Sequence, residues 1–150
     1  MKLYFDSSYL FRVYSCEPGH EAVKELLVRC TGLFSAWHAR AEFSAIVLRK
    51  RREGRDSPED LFELHEQFLD ECRSGQVQLL PLTENVFQAI ESALRSAPGT
   101  TFLRAADAMH LACAAQHGFT EVYSNDRHFL AAAPLFGLKG INILGKDDPQ

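Results

Sequence analysis

Apolar positions along this chain fall into short runs separated by longer stretches with helical period. Leu3 to Phe5 is an apolar run that ends at Asp6, and Ser7-Ser8 then opens a helix-like stretch reaching Cys16. Pro18-Gly19 breaks the chain. Ala22, Val23, Leu26, Leu27 and Cys30 then recur at the spacing of one helix face until Thr31-Gly32 stops them. Leu33-Phe34 begins a second strand, Trp37 to Glu53 reads as helix, and Gly54 is its expected C-cap. Ser57-Pro58-Glu59-Asp60 combines an N-cap, a proline at the first helical position and early acids, which predicts a helix to about Cys72.

The second half repeats the alternation. Val77 to Pro81 is a strand, and Thr83 caps a helix with Val86, Ile90 and Leu94 on one face, ended by Pro98-Gly99. Leu103 to Gln116 is alanine-rich and helical, Val122 to Ser124 is a strand, Asp126 to about Ala133 a short helix, and Ile141 to Ile143 a fifth strand. Short apolar strands alternating with longer helices predict an α/β fold with a central parallel sheet of about five strands flanked by helices. No repeat, linker or low-complexity tract interrupts residues 1–150, so one domain is expected.

Composition agrees with that reading: 150 residues, 46% hydrophobic and 24% charged, suit one compact core that needs no disulfide or structural metal. Cys16, Cys30, Cys72 and Cys113 lack C-x-x-C spacing and are expected to be small buried or half-buried thiols in a reducing cytoplasm. The opening Met-Lys-Leu-Tyr-Phe-Asp reaches a charge after three apolar residues, so no secretory signal is expected, and no transmembrane span is visible. A net charge of -4 disfavours a protein that coats nucleic acid through a broad basic surface. It leaves open an enzyme whose carboxylates recruit a cation.

Asp6 and Asp126 sit at the carboxyl ends of two predicted strands, where open parallel sheets bind ligands. Each has a bland explanation, because an Asp after a strand commonly caps the next helix. Asp107 is harder to dismiss. It shares a helical stripe with Leu103, Leu111 and Ala114, and a carboxylate on a core-facing stripe is costly unless paired, hydrogen-bonded or metal-bound. Glu42 lies beside the apolar stripe of Phe43, Ile46 and Val47, a weaker signal because helical Glu is ordinary. The four acids are far apart in the chain, so no local charge run explains them. Oxygen ligands suit Mg²⁺ or Mn²⁺, no His/Cys zinc site is apparent, and such a cluster supports in-line attack on a phosphodiester.

These residues resemble the PIN domain, and within it the VapC-type toxins of toxin–antitoxin pairs. The similar stretches are Tyr4-Phe5-Asp6-Ser7-Ser8, Ala41-Glu42-Phe43, the helix from Leu103 through Asp107-Ala108-Met109-His110-Leu111-Ala112, and Ser124-Asn125-Asp126-Arg127-His128-Phe129. The resemblance implies a ribonuclease whose metal is held by Asp6, Glu42, Asp107 and Asp126, with the Ser124 hydroxyl supporting the site. It also implies an RNA substrate, a small antitoxin as partner and a homodimer. The alternative is a PIN-like module that binds RNA or protein without cleaving. A phosphoryl-accepting receiver domain fits less well, since Asp6 is followed by two serines rather than another acid.

Four further features carry two readings each. The basic run Arg49, Lys50, Arg51, Arg52 and Arg55 can lead RNA phosphates to the carboxylates or simply complement a helix C-terminus. Arg104, one turn before Asp107, can contact the acid or a phosphate. His110 can shuttle protons, though a buried hydrogen-bonded imidazole is the simpler expectation. Ser7, Ser8 and Ser124 can orient neighbouring carboxylates or merely cap helices.

Overall fold

The structure is a computed structural model that describes residues 1–144. Five short parallel strands are present: β1 (Lys2–Tyr4), β2 (Gly32–Ala36), β3 (Val77–Leu80), β4 (Glu121–Tyr123) and β5 (Lys139–Ile141). They form a three-stranded sheet in the order β1-β2-β3 and a two-stranded ladder of β4 and β5. The largest sheet is thus smaller than the expected one of about five strands. A single parallel bridge, Phe5 to Tyr123, joins the two, so β1 and β4 run side by side. The chain moves outward from β1 in one direction through β2 and β3, and from β4 in the other through β5.

Seven α-helices cover the strands: α1 (Ser7–Tyr14), α2 (His20–Val28), α3 (Ala39–Glu53), α4 (Pro58–Ser74), α5 (Glu84–Ser96), α6 (Ala105–Gln116) and α7 (Arg127–Ala132), the last running into a 3₁₀ turn at Ala133–Phe136. Strand pleating sends alternate side chains to opposite faces. Leu3 and Phe5 join Leu33, Val77 and Phe43 in one core, whereas Tyr4, Phe34 and Ala36 join Leu111, Val122 and Phe129 in the other. Both faces are therefore buried, as a parallel sheet requires.

Local chemistry sets most boundaries. Asp6, Ser57 and Thr83 cap their helices with side-chain acceptors, and Gly54 closes α3 at φ 71°, a left-handed value that costs a side-chain-bearing residue. Gly140 is small for a different reason: a Cβ there would lie 3.1 Å from the Leu130 Cα, so glycine lets β5 pack against α7.

Two boundaries and two burials differ from expectation. The penultimate long helix begins at Ala105, leaving Leu103 in the segment before it, because extended Arg104 (φ -79°, ψ 152°) occupies the cap position. Leu94 is 43% exposed, since only the Val86 side of α5 meets the core. The fifth strand comes two residues earlier than Ile141 to Ile143, because β4 pairs with Lys139, Gly140 and Ile141, and Ile143 is exposed beyond it. Cys16, expected to be shielded, is exposed just past the end of α1. No helix among the described residues is long and apolar enough to cross a membrane.

Candidate active site

Adjacent strands that hand the chain off in opposite directions leave a crevice beyond their carboxyl ends. Here those strands are β1 and β4, and the residues that follow them are Asp6 and the Ser124–Asp126 turn. The backbone holds the junction together: the Asp6 N–H donates to the Tyr123 carbonyl at 3.1 Å, and the Ser124 N–H to that of Ile141 at 3.1 Å. The first turns of α3 and α6 bring Glu42 and Asp107 to the same place. All four predicted acids line one cavity of about 910 Å³.

Asp6 is buried and heavily hydrogen-bonded. Its Oδ1 accepts from the Ser8 hydroxyl at 2.7 Å and the Tyr9 N–H at 3.0 Å, and its Oδ2 accepts from the Ser124 hydroxyl at 2.5 Å. Burial nevertheless raises its pKa, with these donors opposing the rise. Ser124 also accepts the Asp126 N–H at 3.0 Å, so one hydroxyl ties the two strand-end acids together. On Asp126, Oδ1 caps α7 by accepting from the His128 and Phe129 N–H groups at 2.8 and 3.1 Å. The capping explanation is thus true of Asp6 and Asp126, and it fixes their carboxylates at the cavity rather than removing them from it.

Arg104 contacts two acids at once. Its guanidinium donates to Asp126 Oδ2 at 2.8 Å, and its Nε lies 3.6 Å from Asp107 Oδ2. The arginine side chain is 64% exposed, so this is a surface clasp and not a buried ion pair. Asp107 is different: its Oδ2 is buried without a hydrogen-bond partner. Burial, then repulsion from Asp126, push its pKa up to about 6; Arg104 pulls the other way, and Asp6 and Glu42 add to the rise. Asp126, Asp6 and Glu42 thus lie close enough to Asp107 to disfavour its ionisation.

Glu42 sits in a second network that sequence reasoning only half found. His110, wholly buried, has its Nε2 2.6 Å from Glu42 Oε1 and its Nδ1 2.9 Å from the Tyr4 hydroxyl. A carboxylate only accepts, so Nε2 donates to Glu42, and a ring carrying that single proton accepts the Tyr4 O–H at Nδ1. His38, whose Nε2 donates to the Ala106 carbonyl at 2.9 Å, stands 3.5 Å from the same carboxylate oxygen. Burial works to raise the Glu42 pKa, but the His110 hydrogen bond and the neighbouring cations outweigh it, and the net shift is downward. For His38, burial and His110 shift the pKa down.

No His/Cys zinc site is apparent along the sequence, but the fold gathers two histidines around one acid. Ligand atoms of His38, Glu42 and His110 lie within 4.8 Å of one another. Both Nε2 atoms, however, are engaged as donors to oxygen, which makes these imidazoles supports for the acid. His38 carried a faint sequence signal, an i,i+4 spacing to Glu42. Tyr4 carried none.

The remaining predicted residues divide. Ser7 lines the cavity, but the hydroxyl that reaches Asp6 belongs to Ser8. From the basic run, Arg49, Lys50 and Arg55 line the cavity together with Arg12 and Arg127, and Lys50 pairs with Glu17. Arg51 and Arg52 are exposed outside it. An acid-floored, cation-walled cavity suits a phosphodiester held beside a hard metal ion. The residues present fit such an ion, since the donors are carboxylate oxygens and Asp107 offers one that is buried and accepts no hydrogen bond.

Comparison with known proteins agrees with this architecture. The PIN domain family model matches residues 3–134. VapC20 of Mycobacterium tuberculosis, described as a sarcin–ricin loop cleaving toxin, is similar with a TM-score of 0.66 and 18% identity, over 98% of this chain and 99% of that one. VapBC2 of Rickettsia felis, solved on a promoter DNA fragment, is similar at 0.67 and 12% identity, over 95% and 98% of the two chains. FitAB bound to a DNA fragment gives 0.64 and 18%, over 95% and 94%. At these identities the likeness is one of fold. No curated protein sequence matches significantly.

Proposed function

The chain belongs to the PIN domain family, and from that premise we propose that it is a ribonuclease hydrolysing RNA phosphodiester bonds with a divalent ion at the carboxylate cavity. One observation carries the reading: Asp6, Glu42, Asp107 and Asp126 meet in a single cavity, and Asp107 presents a buried oxygen with no hydrogen-bond partner. Asp6, Glu42, Asp107 and Asp126 would hold the ion. Mg²⁺ or Mn²⁺ there supplies positive charge to the phosphodiester and an activated water.

The chain's own groups do the rest. Ser124 and Ser8 orient Asp6, and His110 orients Glu42. Arg104 screens Asp126 and Asp107 from each other, and its exposure lets it turn to a substrate phosphate. Arg49, Lys50, Arg55 and Arg127 place cations on the cavity wall for an RNA backbone, the first and third beside Glu53 and the second paired with Glu17, which line it too.

In the same reading the chain acts as one cytoplasmic domain, a homodimer, and the toxin of a toxin–antitoxin pair. The support is its likeness to VapBC2 and FitAB, each a two-component name, together with the full coverage of VapC20. Purified protein should cleave single-stranded RNA in Mg²⁺ or Mn²⁺ and stop on addition of EDTA. Undiminished cleavage in EDTA, after removal of contaminating nuclease, overturns the mechanism. For the biological role, expression alone should arrest growth and a small neighbouring antitoxin should restore it.

A further inference from the structure

We propose that Phe102 and His128 form a stacking subsite for one unpaired nucleobase at the rim of the carboxylate cavity. The inference rests on the reading that the cavity receives RNA. Phe102 is 56% exposed, in the segment just before α6, although the next residue, Leu103, packs against the core. Single exposed apolar residues are ordinary. This one is placed with care: its ring lies against the His128 imidazole, with centroids 4.2 Å apart and planes 40° apart.

His128 and a near neighbour of Phe102 in the chain bond to the same acid. The His128 N–H donates to Asp126 Oδ1 at 2.8 Å. Two residues beyond Phe102, Arg104 donates to Asp126 Oδ2 at 2.8 Å. His128 itself lines the cavity, with Arg104 and Arg127 beside it. The aromatic pair is therefore held beside the carboxylates, with Arg104 and Arg127 among the residues that line the cavity. Trp37 is placed differently: the Arg40 guanidinium lies over its ring at 5.3 Å, and neither residue lines the carboxylate cavity, whereas His128 does.

A nucleotide matches this surface on both of its halves. Its base has an apolar face that stacks on an aromatic ring whatever its sequence, and its phosphate seeks the neighbouring arginines. An A-form duplex keeps its base faces stacked inside, so the subsite selects loops, bulges and single strands. A protein partner would instead be met by a broad apolar groove, and here one ring is bordered by charge.

The test is a thermodynamic cycle between the ring and the base. Binding of a short single-stranded RNA is measured in EDTA for the wild type, Phe102→Ala and Phe102→Trp, alongside a set of the same RNA with one abasic position each. Phe102→Ala is expected to weaken binding by about five- to a hundred-fold. One abasic position should weaken wild-type binding to a similar extent while leaving Phe102→Ala unaffected, and Phe102→Trp should bind like the wild type. Thermal melts of Phe102→Ala should match the wild type, because the side chain is exposed. Unchanged binding by Phe102→Ala, or losses that add at every position, overturns the subsite. So does a Phe102→Ala variant that loses only a protein partner. A wild type that binds no RNA in EDTA overturns this subsite alone, because the ribonuclease reading is tested separately by cleavage in Mg²⁺ or Mn²⁺. One that binds RNA through the ring without cleaving it in those ions overturns the ribonuclease reading alone.

Discussion

The Nε2 of His110 donates to Oε1 of Glu42 at 2.6 Å, joining a wholly buried ring on α6 to a half-buried acid on α3. Behind the ring, the Tyr4 hydroxyl completes the chain at 2.9 Å. The three groups come from a strand and two helices, so the Glu42 carboxylate is aimed by the tertiary fold and not by its own helix.

From this chain we expect His110→Leu to weaken Mn²⁺ binding by roughly ten- to a hundred-fold, the usual effect of losing a partner behind a metal ligand. His110→Gln keeps a donor on the Glu42 side and should recover part of the loss. Tyr4→Phe should act more mildly, costing about 1 kcal/mol of stability for one hydrogen bond. Calorimetric titration of Mn²⁺ reads the affinity directly. Equal affinity in His110→Leu and wild type would show that the ring packs without aiming the acid.

Asp107→Asn should leave the metal-free protein as stable as the wild type or more so, by about 0.5 to 2 kcal/mol. The change removes a charge that burial and three acids disfavour, and its one cationic neighbour, Arg104, is mostly exposed and retains Asp126. Metal binding and cleavage should fall together. Melts in EDTA and in excess Mn²⁺ decide the matter: a large loss of stability in EDTA, with Mn²⁺ stabilisation intact, would mean that Asp107 serves the fold.

The pH dependence follows from the same carboxyl. The Asp107 pKa is raised to about 6, and that of Asp6 is raised as well. A raised carboxyl binds its proton more tightly in the folded state, so the stability it contributes is fully present below the ordinary Asp range and is lost as pH climbs through about 6. For Asp107 alone the loss is up to about 3 kcal/mol before solvent screening is allowed for. Glu42, shifted down, does the reverse, and its contribution disappears only as pH falls below the usual Glu range. Metal-free protein should thus be less stable at pH 7.5 than at pH 5, as read by urea melts at about those values. Mn²⁺ should cancel the difference, because it binds the ionised form. A flat profile in Asp107→Asn would assign the slope to this residue.

Much of the fold could be read directly from the chain because it is written in contacts between close neighbours. A helix cap needs a side-chain oxygen and an N–H two or three residues on, and Ser57, Thr83 and Asp126 supply it. The strand ends that present Asp6 and Asp126 follow from the same local grammar. Errors arose where partners were distant: Leu94 faces solvent and Ile143 lies outside its strand because of what packs beside them, not because of their own period.

The candidate site divides along the same line. By itself the sequence determined that two of the acids stand at strand ends and two within helices, positions set by residues close to each in the chain. Only the tertiary structure decided which groups support those acids. His110 is 68 positions from Glu42 and 106 from Tyr4, Ser124 is 118 from Asp6, and Phe102 meets His128 across the mouth of a helix start. The physical reason is that a hydrogen bond or a ring contact is specified within a few ångströms of space, and no periodicity along the chain encodes which distant residue the packed core will deliver there.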